Sequence, residues 1–471
     1  MKQLLCGLIC FLMGWHSFSQ VFDVEPIKIS GDNEYRINLV VLSEGYQTSE
    51  FTKFITDVTV FSDAMFSQSP FKEYANYFNV YAIKVPSNES GADHPATASD
   101  VDESGSTPVF VDTYFNATFD AFGYHRYLYY GIDYAAAATA EAKIRSVLAD
   151  NFPSYDQALI LVNTPTYGGT GGEFPIASTH ANSSEIAIHE LGHSMFYLKD
   201  EYLVPDVYYA EAINMTQESN PNLVKWKNWM GLNNIGIYAY GSSGTPAAWY
   251  RPHQSCKMRY LGYPFCSVCK EGMVEKVHEL ISPIEGYAPV SSTVEGSGFP
   301  MEFQLNLIET IPNTLETEWT LNATHFSNSL DGVAVEAADL VEGENTLTAA
   351  VHDGSTFVKV DNHESLHINT VTWTINYSTL GIEEITSTEN SLSILMYPNP
   401  ASDLIHFKFE NSNSQTLKID IIGMDGRAIT SLSVENNGLQ QLNLGKLKTG
   451  VYMARFYSDN VLLTTKKIVK N

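Results

Sequence analysis

The chain has 471 residues, a net charge of −27, 44% hydrophobic residues and 12% aromatic ones. That length exceeds one ordinary core and predicts roughly two to four domains, while the apolar content excludes disorder of the whole chain. The acidity excludes nucleic acid as a partner, since its binders are basic; it is compatible with solubility, calcium sites or a basic substrate and selects none of them.

The N-terminus reads MKQLLCGLICFLMGWHSFSQ, one Lys, a short apolar run and small residues at Ser17 and Ser19. This is the layout of a secretory signal peptide over residues 1–19. The run is shorter than the roughly 20 apolar residues of a membrane anchor, and no later stretch reaches that length. The mature protein is therefore expected to be exported and soluble, without a transmembrane segment, and a monomer. Cys6 and Cys10 leave with the signal peptide, so Cys256, Cys266 and Cys269 remain.

Next, EYRINLVVLSEGY predicts a strand and turn. SEFTKFITDVTVFSDAMFSQSPF has helical apolar spacing, and NYFNVYAIKVPS reads as a second strand. DYAAAATAEAKIRSVLADNF favours helix and DQALILVNT is a continuous apolar run of the buried-strand type. Strands alternating with helices predict an α/β (α+β) domain over residues 20–282. The Gly-rich YGGTGGEFPIASTH would let backbone approach a ligand closely. It lacks the Lys of a phosphate loop.

SEIAIHELGHSMFYL carries the chemistry. His189 and His193 lie four residues apart on one helical face, so that two imidazoles can reach one zinc ion. Glu190 is offset toward a zinc-bound water, whose pKa falls to about 7, and fits a general base. The third ligand does not follow the metzincin spacing, because Phe196 and Lys199 stand where that pattern has Gly and the ligand. Asp200 and Glu201 are the nearest oxygen donors. In an unbroken helix Asp200 would sit about 10 Å further along the axis than His193, at about 1.5 Å per residue. Either the helix breaks near Phe196–Leu198 and the chain folds back, or a distant Glu (Glu211, Glu218, Glu271 or Glu275) completes the site; Asp200 ranks first. His94, His125 and His180 read as surface or hydrogen-bonded groups, with His180 able to line the cleft.

In SCKMRYLGYPFCSVC, export favours a disulfide from Cys256 to Cys266 or Cys269. The alternative is a structural zinc set that adds His253, as H-x2-C-x9-C-x2-C. Met258 is a candidate packing floor beneath the zinc. Tyr260 is a candidate catalytic hydroxyl aimed at the oxyanion, with Tyr202 as its rival.

After about residue 283 the texture changes to short alternating segments, MEFQLNLIET, LETEWTLN, NTLTAAVHD and TVTWTINYS, which predict an Ig-like β-sandwich over residues 283–378. The polar stretch 379–392 is a linker, and residues 393–471 are strand and turn throughout.

HELGHSMFYLKDEY is similar to the HExGHxxxxxxDEY signature of the IgA-specific metallopeptidase family, number sixty-four in the metallopeptidase series. INLVVLSEGY, SPFKEYANYFNVYAIKVPSNESGADHP and SCKMRYLGYPFCSVCKEGM are similar to it too, so the resemblance covers roughly residues 30–280. It implies a metzincin-like zinc endopeptidase with His189, His193 and Asp200 as zinc ligands and Glu190 as base. YPNPASD, DGR, LKTGVYMARF and the closing KKIVKN resemble the C-terminal sorting domain of type IX secretion, which implies export across the outer membrane and release or surface attachment. The expected function is hydrolysis of protein or peptide substrates with zinc as cofactor. An inert surface adhesin or glycan-binding protein with a protease-like domain is the alternative.

Overall fold

INLVVLSE, residues Ile37–Glu44, is buried at every position, which requires cover on both faces of its sheet. A computed structural model supplies that cover. It describes residues 21–378, 393–410, 416–424, 426–435, 439–458 and 461–471; the expected signal peptide at 1–19, the expected linker at 379–392 and Asp425 of the DGR motif lie outside the described residues. The chain divides into two compact units, Met1–Tyr377 and Ser378–Asn471.

In the first unit the elements run β1 (Val24–Lys28), β2 (Ile37–Glu44), α1 (Phe51–Phe66), β3 (Phe78–Ile83), α2 (Tyr134–Asn151), β4 (Gln157–Val162), β5 (Gly169–Thr170), β6 (Ile176–Ser178) and α3 (Ser183–Ser194). The sheet order is β1-β3-β2-β4-β6-β5. The inner pairs are parallel and the edge strands β1 and β5 are antiparallel to their neighbours. Because successive strand residues point to opposite faces, Ile37, Leu39 and Val41 enter one core, and Val40 and Leu42 another. α1 covers the first face with Phe54, Val58, Phe61 and Met65 at helical spacing, and α3 joins it through Ala187, Ile188 and Leu191. α2 covers the second face with Ala137, Ala140, Ile144, Val147 and Leu148. Its N-terminus is capped by Asp133, which accepts from the amides of Ala135 and Ala136 at 3.0 and 2.9 Å.

Between β3 and α2 the chain runs as loops, isolated β-bridges and one 3-10 turn. Glu44, at the end of β2, anchors this long segment. Its buried carboxylate accepts from the Thr113 hydroxyl at 2.6 Å and from the amides of Phe115 and Ala117 at 2.9 and 2.8 Å. Burial nonetheless raises its pKa above the usual carboxylate range.

After α3 come a short hairpin, β7 (Tyr238–Ala239) with β8 (Tyr250–Arg251), and α4 (Ser267–Leu280). Eight strands follow: β9 (Ile284–Ala288), β10 (Thr293–Glu295), β11 (Met301–Leu307), β12 (Leu315–Leu321), β13 (Thr324–Ser327), β14 (Gly332–Val335), β15 (Gly343–Asp353) and β16 (Asn369–Tyr377). They form two sheets, β10-β16-β15-β12-β13 and β14-β11-β9. Both sheets fill one core, in which Trp319 and Trp373 stack at 5.9 Å. Ile308 and Val358 of this part enter the core beneath α1 and α3.

The polar counterpart of that joint is Asp353. Its Oδ2 accepts from His278 Nε2 at 2.8 Å and from the Tyr74 hydroxyl, and its Oδ1 from Thr314 at 2.6 Å and the Ser355 amide at 2.9 Å. All four donors converge on a carboxylate that is 2% exposed.

The second unit has two sheets. One pairs Ser393–Tyr397, Leu404–Glu410 and Leu439–Asn443; the other has the order Ala428–Glu435, Thr416–Gly423, Gly450–Ser458 and Val461–Lys470. Ile405 and Phe407 of the first meet Ile419, Ile421, Phe456 and Ile468 of the second in one core.

Asp353 carries a prediction. Burial alone would raise its pKa, but the hydrogen bonds from His278, Thr314 and Tyr74 hold it below the usual carboxylate range. A depressed folded-state pKa contributes stability above the unfolded value of about 3.9, and that stability is lost as pH falls through the folded value. Asp353→Ala is expected to cost about 3–5 kcal/mol by denaturant unfolding at pH 7, with the gap to the parent protein narrowing below about pH 4.

Candidate metal centre and cleft

SSEIAIHELGHS forms α3 because Ile186, Ala187, Ile188 and Leu191 give it one buried face. The helix stops at Ser194. Tyr197 takes the left-handed conformation, φ +55°, which is the usual way to reverse a chain at a helix end and which costs a non-glycine residue about 1–3 kcal/mol. The amides of Tyr197 and Leu198 return to the carbonyls of His193 and Gly192 at 3.1 and 2.9 Å. The chain therefore breaks and folds back just before Lys199, where sequence spacing demanded a break if Asp200 was to approach His193.

The reversal brings Asp200 Oδ1 to 3.1 Å from His189 Nε2 and 3.1 Å from His193 Nε2, and the two Nε2 atoms are 3.2 Å apart. The opposite ring nitrogens are committed. His189 Nδ1–H donates to the Lys257 carbonyl at 3.0 Å, and His193 Nδ1–H to the Leu198 carbonyl at 2.6 Å. These carbonyls fix the ring orientations so that both Nε2 atoms face the Asp200 carboxylate. Burial opposes charge on Asp200, yet the two histidines hold its carboxyl well below the usual range. Lys257 is itself held in place by Glu185 in the first turn of α3.

Glu190 Oε2 lies 4.0 Å from His193 Nε2. Burial pushes its pKa up, the two histidines oppose the shift, and Asp200 adds to it. The Gly-rich segment passes directly over this carboxylate: a Cβ on Gly171 would lie 2.4 Å from Glu190 Oε2. Beneath the helix, a Cβ on Gly192 would lie 2.9 Å from Met258 Sδ, so buried Met258 packs under the turn between the two histidines. The site opens into a cleft of about 1510 Å³. Phe122, Tyr124, Tyr127 and Tyr129, carried by the long segment anchored on Glu44, form one wall; Gly171 and Gly172 lie beside it, and Tyr202 and Tyr208 also line the cleft.

Other candidates fall elsewhere. Tyr260 does not line the cleft; its ring packs on Arg259 and Tyr263. Its rival Tyr202 turns its hydroxyl to Asp200, and burial with the neighbouring negative charges raises its pKa well above the phenol range. Glu201 points away from the histidines into a buried group of thiols. Glu211 is engaged with Lys225, Glu218 with the Asn220 amide, Glu271 with the Lys359 amide, and Glu275 with His363 and His367. His180 lies outside the cleft lining and accepts from the Asn182 amide. Cys256, Cys266 and Cys269 are buried free thiols rather than a disulfide. His94 and His125 are not isolated: they converge with Glu103 and Asp120. Nothing in their sequence spacing signals this, because an irregular segment alone brings them together.

Residues 25–235 match the family model described as IgA Peptidase M64, and residues 395–471 match that of the secretion system C-terminal sorting domain. No curated protein matches. Among solved structures, the chain is similar to dimeric latent PorU from Porphyromonas gingivalis (15% identity, 40% of this chain and 20% of that one, TM-score 0.17). It is also similar to the fibronectin(III)-like modules of Clostridium thermocellum CbhA (12%, 40% and 91%, TM-score 0.16). A third is the Parabacteroides merdae beta-glucuronidase (8%, 48% and 28%, TM-score 0.16). The chain thus spans a fifth of PorU, and scores this low bear on neither fold nor function. No helix among the described residues is long and apolar enough to cross a membrane. Residues 25–235 belong to the IgA peptidase M64 family of metallopeptidases, and residues 395–471 are a type IX secretion sorting domain that destines the chain for export across the outer membrane.

Proposed function

We propose that the protein is a zinc endopeptidase, with His189, His193 and Asp200 as the metal ligands and Glu190 as general base. The observation that carries this reading is the triangle of donor atoms with edges of 3.1, 3.1 and 3.2 Å. Three donors at about 2.0–2.1 Å from a tetrahedral zinc ion would be separated by about 3.3 Å. One proton can bridge a single edge of such a triangle, whereas a dication at its centre serves all three. The converging groups found among the described residues each include His or Cys, donors that calcium does not favour, so zinc is the metal assigned here. When bound, zinc would polarise the scissile carbonyl and lower the pKa of a coordinated water to about 7.

The remaining chemistry belongs to the chain. Glu190, buried and raised in pKa, takes the proton from the attacking water and returns it to the leaving amine. Tyr202, which lines the cleft where Tyr260 does not, is the hydroxyl that would turn from Asp200 to donate to the developing oxyanion. The aromatic wall offers apolar faces to a peptide in an open cleft. Met258 beneath Gly192 supports a metzincin-like arrangement, and the two-sheet core with its stacked tryptophans supports an Ig-like module. The partition into residues 1–19, 20–282, 283–378, 379–392 and 393–471, cleavage of the signal peptide and a monomeric state belong to the same reading. The substrate class is protein; immunoglobulin A is not assigned.

Glu190→Gln is expected to lower kcat/KM on casein by about 10²–10⁴-fold while leaving zinc content unchanged. Intact proteolysis in that variant would refute Glu190 as the general base, whereas a zinc-loaded parent protein that leaves casein uncut would favour an inert binding protein. Asp200→Ala is expected to lose metal and activity together, measured by elemental analysis beside the same assay. Gly171→Ala places a methyl group against the Glu190 carboxylate; a loss of about 10²-fold in kcat/KM at an unchanged melting midpoint is the expected outcome.

A further inference from the structure

Glu201, Cys256, Cys266 and Cys269 meet behind the cleft, all four buried, with one donor atom from each lying within 4.8 Å of the others. We infer that they form a second, structural zinc site.

The distances favour coordination over a disulfide. Cys256 Sγ and Cys269 Sγ are 3.6 Å apart, far beyond an S–S bond of about 2.05 Å and close to the edge of about 3.8 Å set by zinc–sulfur bonds of about 2.3 Å. Cys269 Sγ is 3.2 Å from Glu201 Oε1. The carboxylate supplies the independent observation. Glu201 is 0% exposed, Asn214 Nδ2 donates to its Oε1 at 3.2 Å, and its Oε2 has no hydrogen-bond partner. A buried, half-satisfied carboxylate is costly unless a cation meets it. A disulfide between any two of the cysteines would leave that oxygen unserved and a third thiol buried beside it.

The elements suit the donors. Cys266 caps α4 and Cys269 lies in its first turn, so the C-x-x-C pair sits where amide groups and the helix dipole stabilise thiolates. The Cys266 amide donates to Cys256 Sγ at 3.3 Å, and the Glu201 amide to the Met258 carbonyl at 2.7 Å. His253, the fourth ligand that spacing offered, instead accepts from the Ser255 amide at 2.9 Å. Three thiolates and a carboxylate give a closed four-donor set with the charge of a four-cysteine site. That makes the site structural rather than catalytic, and too sulfur-rich for calcium or magnesium.

The position gives the site its role. Glu201 follows Asp200, Cys256 precedes Met258 by two residues, and Cys269 belongs to α4. One ion would lock together the loop that carries Asp200, the turn that carries the methionine floor and the helix behind them. The site stands or falls independently of the assignment at His189 and His193.

The test uses the full exported chain, purified without reductant and loaded with cobalt. Expected are thiolate-to-cobalt charge-transfer absorption in the near ultraviolet, three titratable thiols after denaturation in chelator, and about two zinc ions per chain when zinc-loaded. The double variant His189→Ala, His193→Ala should keep the charge-transfer band and lose one zinc ion, which separates the two sites. Cys269→Ser should lose the band and one zinc ion. Should that variant fail to fold, the thiol count and spectrum of the unaltered chain decide. A single titratable thiol with a disulfide-linked peptide by mass spectrometry, or a cobalt spectrum without the sulfur band, overturns the proposal.

Discussion

His193 donates from Nδ1 to the carbonyl of Leu198, five residues on, and so ties the end of α3 to the segment that leaves it. This bond and the left-handed Tyr197 convert a helix that would carry Asp200 away from the histidines into a turn that returns it to them. The same bond leaves Nε2 as the free face of the ring. One interaction thus sets both the path of the chain and the lone pair that the site presents.

The turn needs support from outside, because a left-handed non-glycine residue is strained. Tyr240 donates to the Asp200 carbonyl at 2.7 Å, Asn214 bonds the backbone of Lys199 on both sides, and the Glu201 amide bonds Met258. The segment 199–201 is therefore held by residues far along the chain, and the cluster of Glu201 with three cysteines would close that frame. On the other side of the cleft, Glu44 performs a comparable task by holding the irregular segment whose tyrosines form the wall. A strand end at Glu44 and the helix α3 anchor the two sides, while the groups that line the cleft come largely from loops, the usual division of labour in α/β proteins.

Much of this was legible in the chain. Apolar periodicity found β2, α1 and α3, since burial on one face imposes its period directly on sequence, while helix propensity found α2 and a continuous apolar run found β4. The His189–Glu190–His193 spacing marked the candidate metal helix, and the reach of a straight helix left a break before Asp200 or a distant ligand as the two options; the structure contains the break. Tyr260 lies outside the cleft lining because turn geometry decides where a side chain points, and sequence spacing does not carry it. The disulfide expectation failed for a related reason: cysteine count and export say nothing of a carboxylate from a different segment placed among the thiols.

Local spacing therefore determined the helices, the strands, the two histidines and their intervening glutamate, because these depend on contacts within a few residues. Tertiary structure alone decided which tyrosine faces Asp200, that Gly171 passes over Glu190, and that His94 meets His125 and Glu201 meets Cys256. Those meetings depend on irregular segments whose paths are set by long-range hydrogen bonds, and such bonds leave no period in the sequence.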